Sequence, residues 1–324
     1  MKHVVPALLA LCLAAGAAWS QPANWPDRPI RFVAPFPPGS LVDLTLRILQ
    51  PKLAARLGQP LVIDNRSGAS GNIGADVLAK SPPDGYTFGA ATDSTHAVSP
   101  ALNPDLSYDA VRDFAMVSLL GEAPYVLITP PTLPVSSVQD LIALAKAKPG
   151  ALNYASAGPT SLAHLAGGLF ARMANVELTE VPYRSSAGSI LDTIQGRIEM
   201  QFATLGPALP HIRAGKVKPL AVTSLKRIDI LPDVPTLDEA GLAGYDAVLW
   251  LAVVAPAATP PDVVARMNRE LREVLAMPDV IESLKAQGLD AASSTPDELR
   301  ALITRDIDKW RKLVQTTATP ADVK

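Results

Sequence analysis

Thiol chemistry is nearly missing from this 324-residue chain, whose one cysteine is Cys12. It lies inside an apolar N-terminal run, so a chain trimmed of that run can form neither disulfides nor thiolate metal sites. Histidine is scarce as well. No two of His3, His96, His164 and His211 stand at metal-ligand spacing, and no G-x-S-x-G elbow accompanies them. Aromatic residues make up 5% of the chain and the formal net charge is -2. With no Lys/Arg cluster and no interleaved aromatic platform, a nucleic-acid surface is excluded. Past the N-terminus no apolar run approaches the ~18 residues of a membrane span. No metal, cofactor or nucleic-acid partner is expected.

What the chain does have begins with an export signal over residues 1–20: Lys2 and His3, an apolar run from Val4 to Ala18, then small residues ending at Ser20. Cleavage near Ser20 and a periplasmic location are expected. A lipoprotein reading of Cys12 fits less well, because Leu11 precedes it where a small residue is wanted. With 48% hydrophobic and 19% charged residues, the remainder is globular, and its length suits two domains. The 31 prolines are spread over many short junctions such as PPDGY and TPPTLP.

Strand-like runs alternate with helical ones, which predicts an α/β fold with parallel sheets covered by helices on both faces. Strands are expected at 30–35, 60–64, 86–91, 126–130, 152–155, 178–182, 200–204, 220–223 and 248–256. Helices are expected at 41–57, 71–80, 138–148, 161–174, 187–195, 262–276, 279–287 and 296–314, with Pro51 kinking the first or ending it early. Between the first strand and first helix lies PFPPGS, from Pro35 to Ser40. Such a loop offers free N–H groups and the positive end of a helix dipole to an anion. An ordinary strand-to-helix turn, with proline and glycine chosen for backbone shape, is the plainer reading of the loop alone.

Several stretches in fixed order, among them WPDRPIRFVAPFPPGS, LGQPLVIDNRSGASGNIGADVLAKSPPDGYTF, DSTHAVSPAL, VPYRSSAG and LPDVPTLDEAGL, resemble the Bug family over nearly the whole mature chain. These are the periplasmic substrate-binding proteins of tripartite tricarboxylate transporters. The resemblance implies a bilobed, type II periplasmic-binding-protein fold. Its two α/β domains, 21–124 with 247–324 and then 125–246, would be joined by two crossover segments near 121–126 and 243–250. It implies a protein, a monomer by expectation, that captures a small organic acid or amino acid carboxylate and delivers it to membrane transporter subunits.

The resemblance also implies two loops, one per lobe, gripping a carboxylate through backbone amides and water. The matching residues are Phe36, Pro38, Gly39 and Ser40 in the first loop, and Ser156, Gly158, Thr160, Ser161 and His164 in the second. Ser40 and the Pro159-Thr160 pair depart from the more usual glycines, which shifts weight onto the hydroxyls of Ser40, Thr160 and Ser161. Asp93, Thr95, Tyr183, Ser185, Ser186 and Thr204 complete the expected pocket. Asp93 suits an ammonium or hydroxyl of the solute, or repels a second carboxylate, while an Asx-type turn or helix cap before Thr95 is the plain alternative. Phe36 is an aromatic wall or a core residue, and Arg184 a distal-carboxylate partner or a solvated rim side chain.

Two other functions compete. The closed lobes can be read by a periplasmic sensor domain instead of a transporter, since either needs only a closed surface unlike the open one. A hydrolase would draw on Ser161 with His164, or Asp93 with His96, yet spacing alone assembles no triad. The primary expectation is a binding protein without catalysis.

Overall fold

The computed structural model describes residues 25–156, 158, 161–183 and 186–317, so the expected export signal lies outside the described residues. In chain order the elements are β1 (Ile30–Ala34), α1 (Leu41–Leu57), β2 (Leu61–Asn65), α2 (Asn72–Ala79) and β3 (Thr87–Thr92). A π-helical turn (Ser94–Val98) then runs into α3 (Ser99–Leu102), and β4 (Phe114–Thr129) follows. Next come α4 (Val138–Ala147), β5 (Asn153–Ser156), α5 (Leu162–Ala174), β6 (Thr179–Pro182) and α6 (Ser186–Ile194). The series continues through β7 (Met200–Thr204), α7 (Leu205–Arg213), β8 (Lys218–Val222) and β9 (Val248–Pro256). It closes with α8 (Pro261–Leu275), α9 (Pro278–Ala286), β10 (Asp290–Ala291) and α10 (Pro296–Thr317).

The helix and strand alternation is as the sequence predicts, but the sheets are mixed. β1 lies parallel to β2 and β3, and β5 parallel to β6 and β7. The long strands β4 and β9 run antiparallel to each other and to their other neighbours. β4 explains the difference. Its 16 residues pair with β9 as far as Pro124 and with β7 from Tyr125 onward. One strand thus serves two sheets, where the sequence suggested only 126–130. Register shifts after Met116 and Leu119 break its alternation, and both faces are covered, so its first half carries no period-2 signal. A second crossing is tied to the first at Thr223. The Thr223 N–H donates to the Tyr125 carbonyl at 2.9 Å, and the Ala247 N–H to the Thr223 carbonyl at 3.0 Å.

Helix α1 buries Leu46, Leu49, Leu53 and Leu57, an i, i+3, i+7, i+11 stripe worth about 1.5–3 kcal/mol per fully buried leucine. It does not end early at Pro51, one of the two outcomes expected there. Pro51 is exposed, so the carbonyl deprived of its amide partner faces water, and the buried stripe holds the remaining turns. Helix α7 was not foreseen. Its prolines, Pro207 and Pro210, disguise it, although Pro207 falls in the first turn, where no intrahelical N–H bond is needed.

Candidate functional site

The first loop is built inward from Ser40. Its extended backbone (φ -69°, ψ 160°) caps α1, and its Oγ accepts the Asp43 N–H at 3.3 Å. Gly39 holds φ +80°, a left-handed conformation that glycine adopts without penalty. Its N–H donates to Asp43 Oδ2 at 2.9 Å, while the Ser40 N–H donates to the Pro37 carbonyl at 3.1 Å. Those two amides, expected to be free for an anion, are therefore committed within the loop. The amides left over are those of Leu41 and Val42 at the start of α1, which have no acceptor among the described residues.

Asp43 is the centre of this loop. Its buried carboxylate also accepts from Asn65 Nδ2 at 3.0 Å and from Arg47 Nε at 2.9 Å, and the same Asn65 amide donates to the Phe36 carbonyl at 3.0 Å. The Arg47 bond, outweighing the burial that opposes it, holds the Asp43 carboxyl below its ordinary range. The half-buried Phe36 ring packs beside Thr95. A Cβ at Gly71 (φ +91°) would come within 2.7 Å of Thr95 Cγ2 and 3.1 Å of the Phe36 ring. Close approach therefore demands glycine there. Pro38 is exposed at the loop's outer edge.

Behind Phe36 lies the segment after β3. Thr95 has no exposed surface, and its hydroxyl is shared between the Thr92 N–H at 3.1 Å and His96 Nδ1 at 2.9 Å. His96 is equally buried, tilted at 60° against Phe114 with centroids 4.6 Å apart, and burial pushes its pKa down to about 3. Asp93 is 2% exposed, makes no capping bond with its side chain, and has no hydrogen-bond partner for Oδ2. Burial pushes its pKa up to about 7, against the pull of the Ser94 N–H. Asp93 is thus not the helix cap that the plain reading supposed.

The second loop has the same plan on different supports. Gly158 holds φ +98°, and its N–H donates to Ser156 Oγ at 2.9 Å. Ser161 caps α5: its Oγ accepts the His164 N–H at 3.2 Å and donates to the Gly158 carbonyl at 2.8 Å. Glu180 of β6 braces the loop, with Oε2 2.8 Å from His164 Nδ1 and Oε1 accepting from Ser156 Oγ. Thr160, with Ala157 and Pro159, lies outside the described residues, as do Arg184 and Ser185. Ser186 opens α6. The Tyr183 hydroxyl donates to Asp192 Oδ2 at 2.7 Å, and burial together with that carboxylate pushes its pKa up to about 12. Thr204 ends β7, half-buried, in register with Tyr125.

Neither catalytic pair suggested by spacing forms. The Ser161 bond to His164 goes to the backbone N–H, and the His96 ring bonds Thr95, not Asp93. Ser156, His164 and Glu180 do meet, but serine and imidazole both address the carboxylate, whereas a triad needs the serine proton on the imidazole.

Sequence reasoning passed over Asp43, Asn65, Glu180 and Tyr125. Asp43 had a signal, since Ser40-x-x-Asp43 is the spacing of a capping box. Glu180, one polar residue in a short strand, had none.

Comparison with known proteins gives a consistent result. The family model described as "Tripartite tricarboxylate transporter family receptor" matches residues 45–318. Protein BugT of Bordetella pertussis is 37% identical over 91% of this chain and 90% of its own. Rpa4515 of R. palustris, solved with adipate, is 36% identical at TM-score 0.77, covering 90% of this chain and 98% of its own. MatC of Rhodopseudomonas palustris, solved with bound malate, is 31% identical at TM-score 0.73, covering 90% and 100%.

Proposed function

Because the chain belongs to the tripartite tricarboxylate transporter receptor family, also known as the Bug family, we propose that it captures a small carboxylated solute in the periplasm and hands it to membrane transporter subunits. The observation that carries this reading is the shared build of the two loops. Each follows a strand, contains a left-handed glycine, is capped by a serine and opens a helix of 13 or more residues. Helix starts of this kind favour an anion through unpaired N–H groups and the aligned peptide dipoles. The internal bonding of both loops supports a preformed clamp: with the Gly39 and Gly158 amides already satisfied, the carboxylate is held by first-turn amides, hydroxyls and bridging water. Solute-bound relatives with adipate and malate agree with a carboxylate.

The two lobes are 21–124 with 247–324, and 125–246, after removal of residues 1–20. The partner change of β4 at Pro124/Tyr125 supports that division. Closure about the two crossings is driven by the solute's higher affinity for the closed form. Native mass spectrometry of freshly purified protein, backed by a thermal-shift screen of organic acids, tests the reading. A retained or stabilising carboxylate is expected, and a high-affinity solute without any carboxylate overturns it.

A further inference from the structure

We propose that Asp93 and Tyr125 form a second, cation-accepting subsite, so that the solute is an amino-substituted carboxylic acid whose ammonium group rests against Asp93. This rests on the carboxylate reading above and names the class of solute within it.

Asp93 directly follows β3, at the carboxyl end of a strand in parallel register with β1, where open α/β sheets place their ligands. A carboxyl group that is 2% exposed and has one oxygen without a donor is an expensive thing to build. Its surroundings hold no spare cation. The charges that act on it come from Asp306 and Lys309 of α10. Lys309 Nζ is spent on Asp306 Oδ1 at 3.1 Å and on the Asp246 carbonyl at 3.0 Å, and Arg305 reaches Asp306 at 3.1 Å. Asp306 itself is completed by Trp250 Nε1 at 3.0 Å. Glu122 adds a further acid, close enough to Asp246, Arg305 and Asp306 to feel their charge.

The two charges that act on Asp93, Asp306 and Lys309, are paired with each other, so no cation is left over to balance an ionised Asp93. A distal carboxylate brought there meets repulsion, whereas an ammonium supplies the missing donor and the missing charge. Tyr125 adds the second group. It is half-buried at the crossing strand, and its hydroxyl has no partner among the described residues. Burial, and next the charge of Asp93, raise its pKa, so its oxygen stays a neutral donor and acceptor beside Asp93. The Asp93 carboxyl, with its pKa near neutrality, gives up its proton to such a pairing at little cost.

The test is isothermal titration calorimetry of wild type and Asp93→Asn with 2-amino and ω-amino monocarboxylic acids, each set beside the dicarboxylate of matched length, such as 4-aminobutyrate with glutarate. At least one amino acid should bind about tenfold or more tighter than its dicarboxylate partner, and Asp93→Asn should remove that preference. Tyr125→Phe should weaken the same amino acid about threefold. Tighter binding of dicarboxylates by wild type overturns the proposal, as does equal weakening of both classes by Asp93→Asn in a variant that melts like wild type. The wild-type panel decides the matter even if the variant fails to fold. If no carboxylated compound of any kind binds, the carboxylate reading itself falls, a result distinct from binding without an amino preference.

Discussion

The two clamp loops share a shape and differ in what stiffens it. In the first, a buried carboxylate on the loop's own helix accepts every donor within reach: Gly39 N–H, Asn65 Nδ2 and Arg47 Nε. In the second, a carboxylate from the neighbouring strand meets two groups that can change roles, the Ser156 hydroxyl and the His164 ring. A hydroxyl rotates and an imidazole changes tautomer, but a peptide N–H and a guanidinium can only donate. The first loop is therefore fixed by a demanding acceptor and the second by a forgiving one. In the proposed clamp, rigidity on one side and tolerance on the other would let one lobe set the carboxylate's position while the other adapts to it.

The sharpest way to break this contrast is a matched pair of amide substitutions. Asp43→Asn turns an NH2 group toward donors that cannot accept, and should cost about 2–3 kcal/mol in urea denaturation along with a general loss of affinity for every acid. A cost below that of the matching substitution in the second loop would reverse the assignment of roles.

A pH series below neutrality sharpens the comparison from the first side only, because Asp93 and His96, the groups with large shifts in that range, stand behind the first loop. Asp93 has its folded pKa raised from 3.8 to about 7, so its contribution is greatest below pH 4 and is lost as the pH rises toward 7. His96 has its folded pKa lowered from 6.5 to about 3, so its contribution is greatest above pH 6.5 and is lost as the pH falls toward 3. Between about pH 4 and 6.5 the two slopes, each about 1.4 kcal/mol per pH unit at full strength, oppose one another. Wild-type stability should be nearly flat there with respect to this segment. Asp93→Asn should lose stability on acidification through that window, and His96→Asn should lose it as the pH rises. Denaturant midpoints that move the same way in both variants would refute the opposition.

The smallest effect belongs to Glu180→Gln. The Ser156 hydroxyl can accept from the new amide and His164 Nδ1 can donate to its carbonyl, so the expected cost is at most about 1 kcal/mol, read from denaturation and calorimetry. Glu180→Ala, which removes both bonds, should weaken solute binding more than it lowers stability, since Ser156 and His164 flank the loop and no apolar contact is lost with them. Equal costs for the glutamine and alanine variants would mean that the carboxylate does not position the loop.

Much of the fold was legible because local rules agreed. Ser40, Ser137 and Ser161 each precede a helix and each caps it, and the apolar run at 248–256 is the strand it looked like. What escaped was non-local. The first half of β4 is covered on both faces and bulged, so its residues carry no alternation. Helix α7 is held by packing despite two prolines. At the site, the first loop was visible through PFPPGS and the second through the family resemblance, while Asp43 left a signal, its spacing from Ser40, that went unread. The burial of Asp93 was not, because it depends on α10, more than 200 residues downstream, folding back over the turn that follows β3.

The strand shared by both sheets reaches beyond ligand capture. Cutting the chain between Pro124 and Tyr125 would part β3 and Phe114–Pro124 from β9, which follows the cut, and leave raw, unpaired strand edges on both pieces. Neither piece is then a viable inheritance by itself: a gene fragment ending at the cut would make an adhesive product, not a smaller working receptor. The two sheets are bound to be duplicated, transferred and lost together.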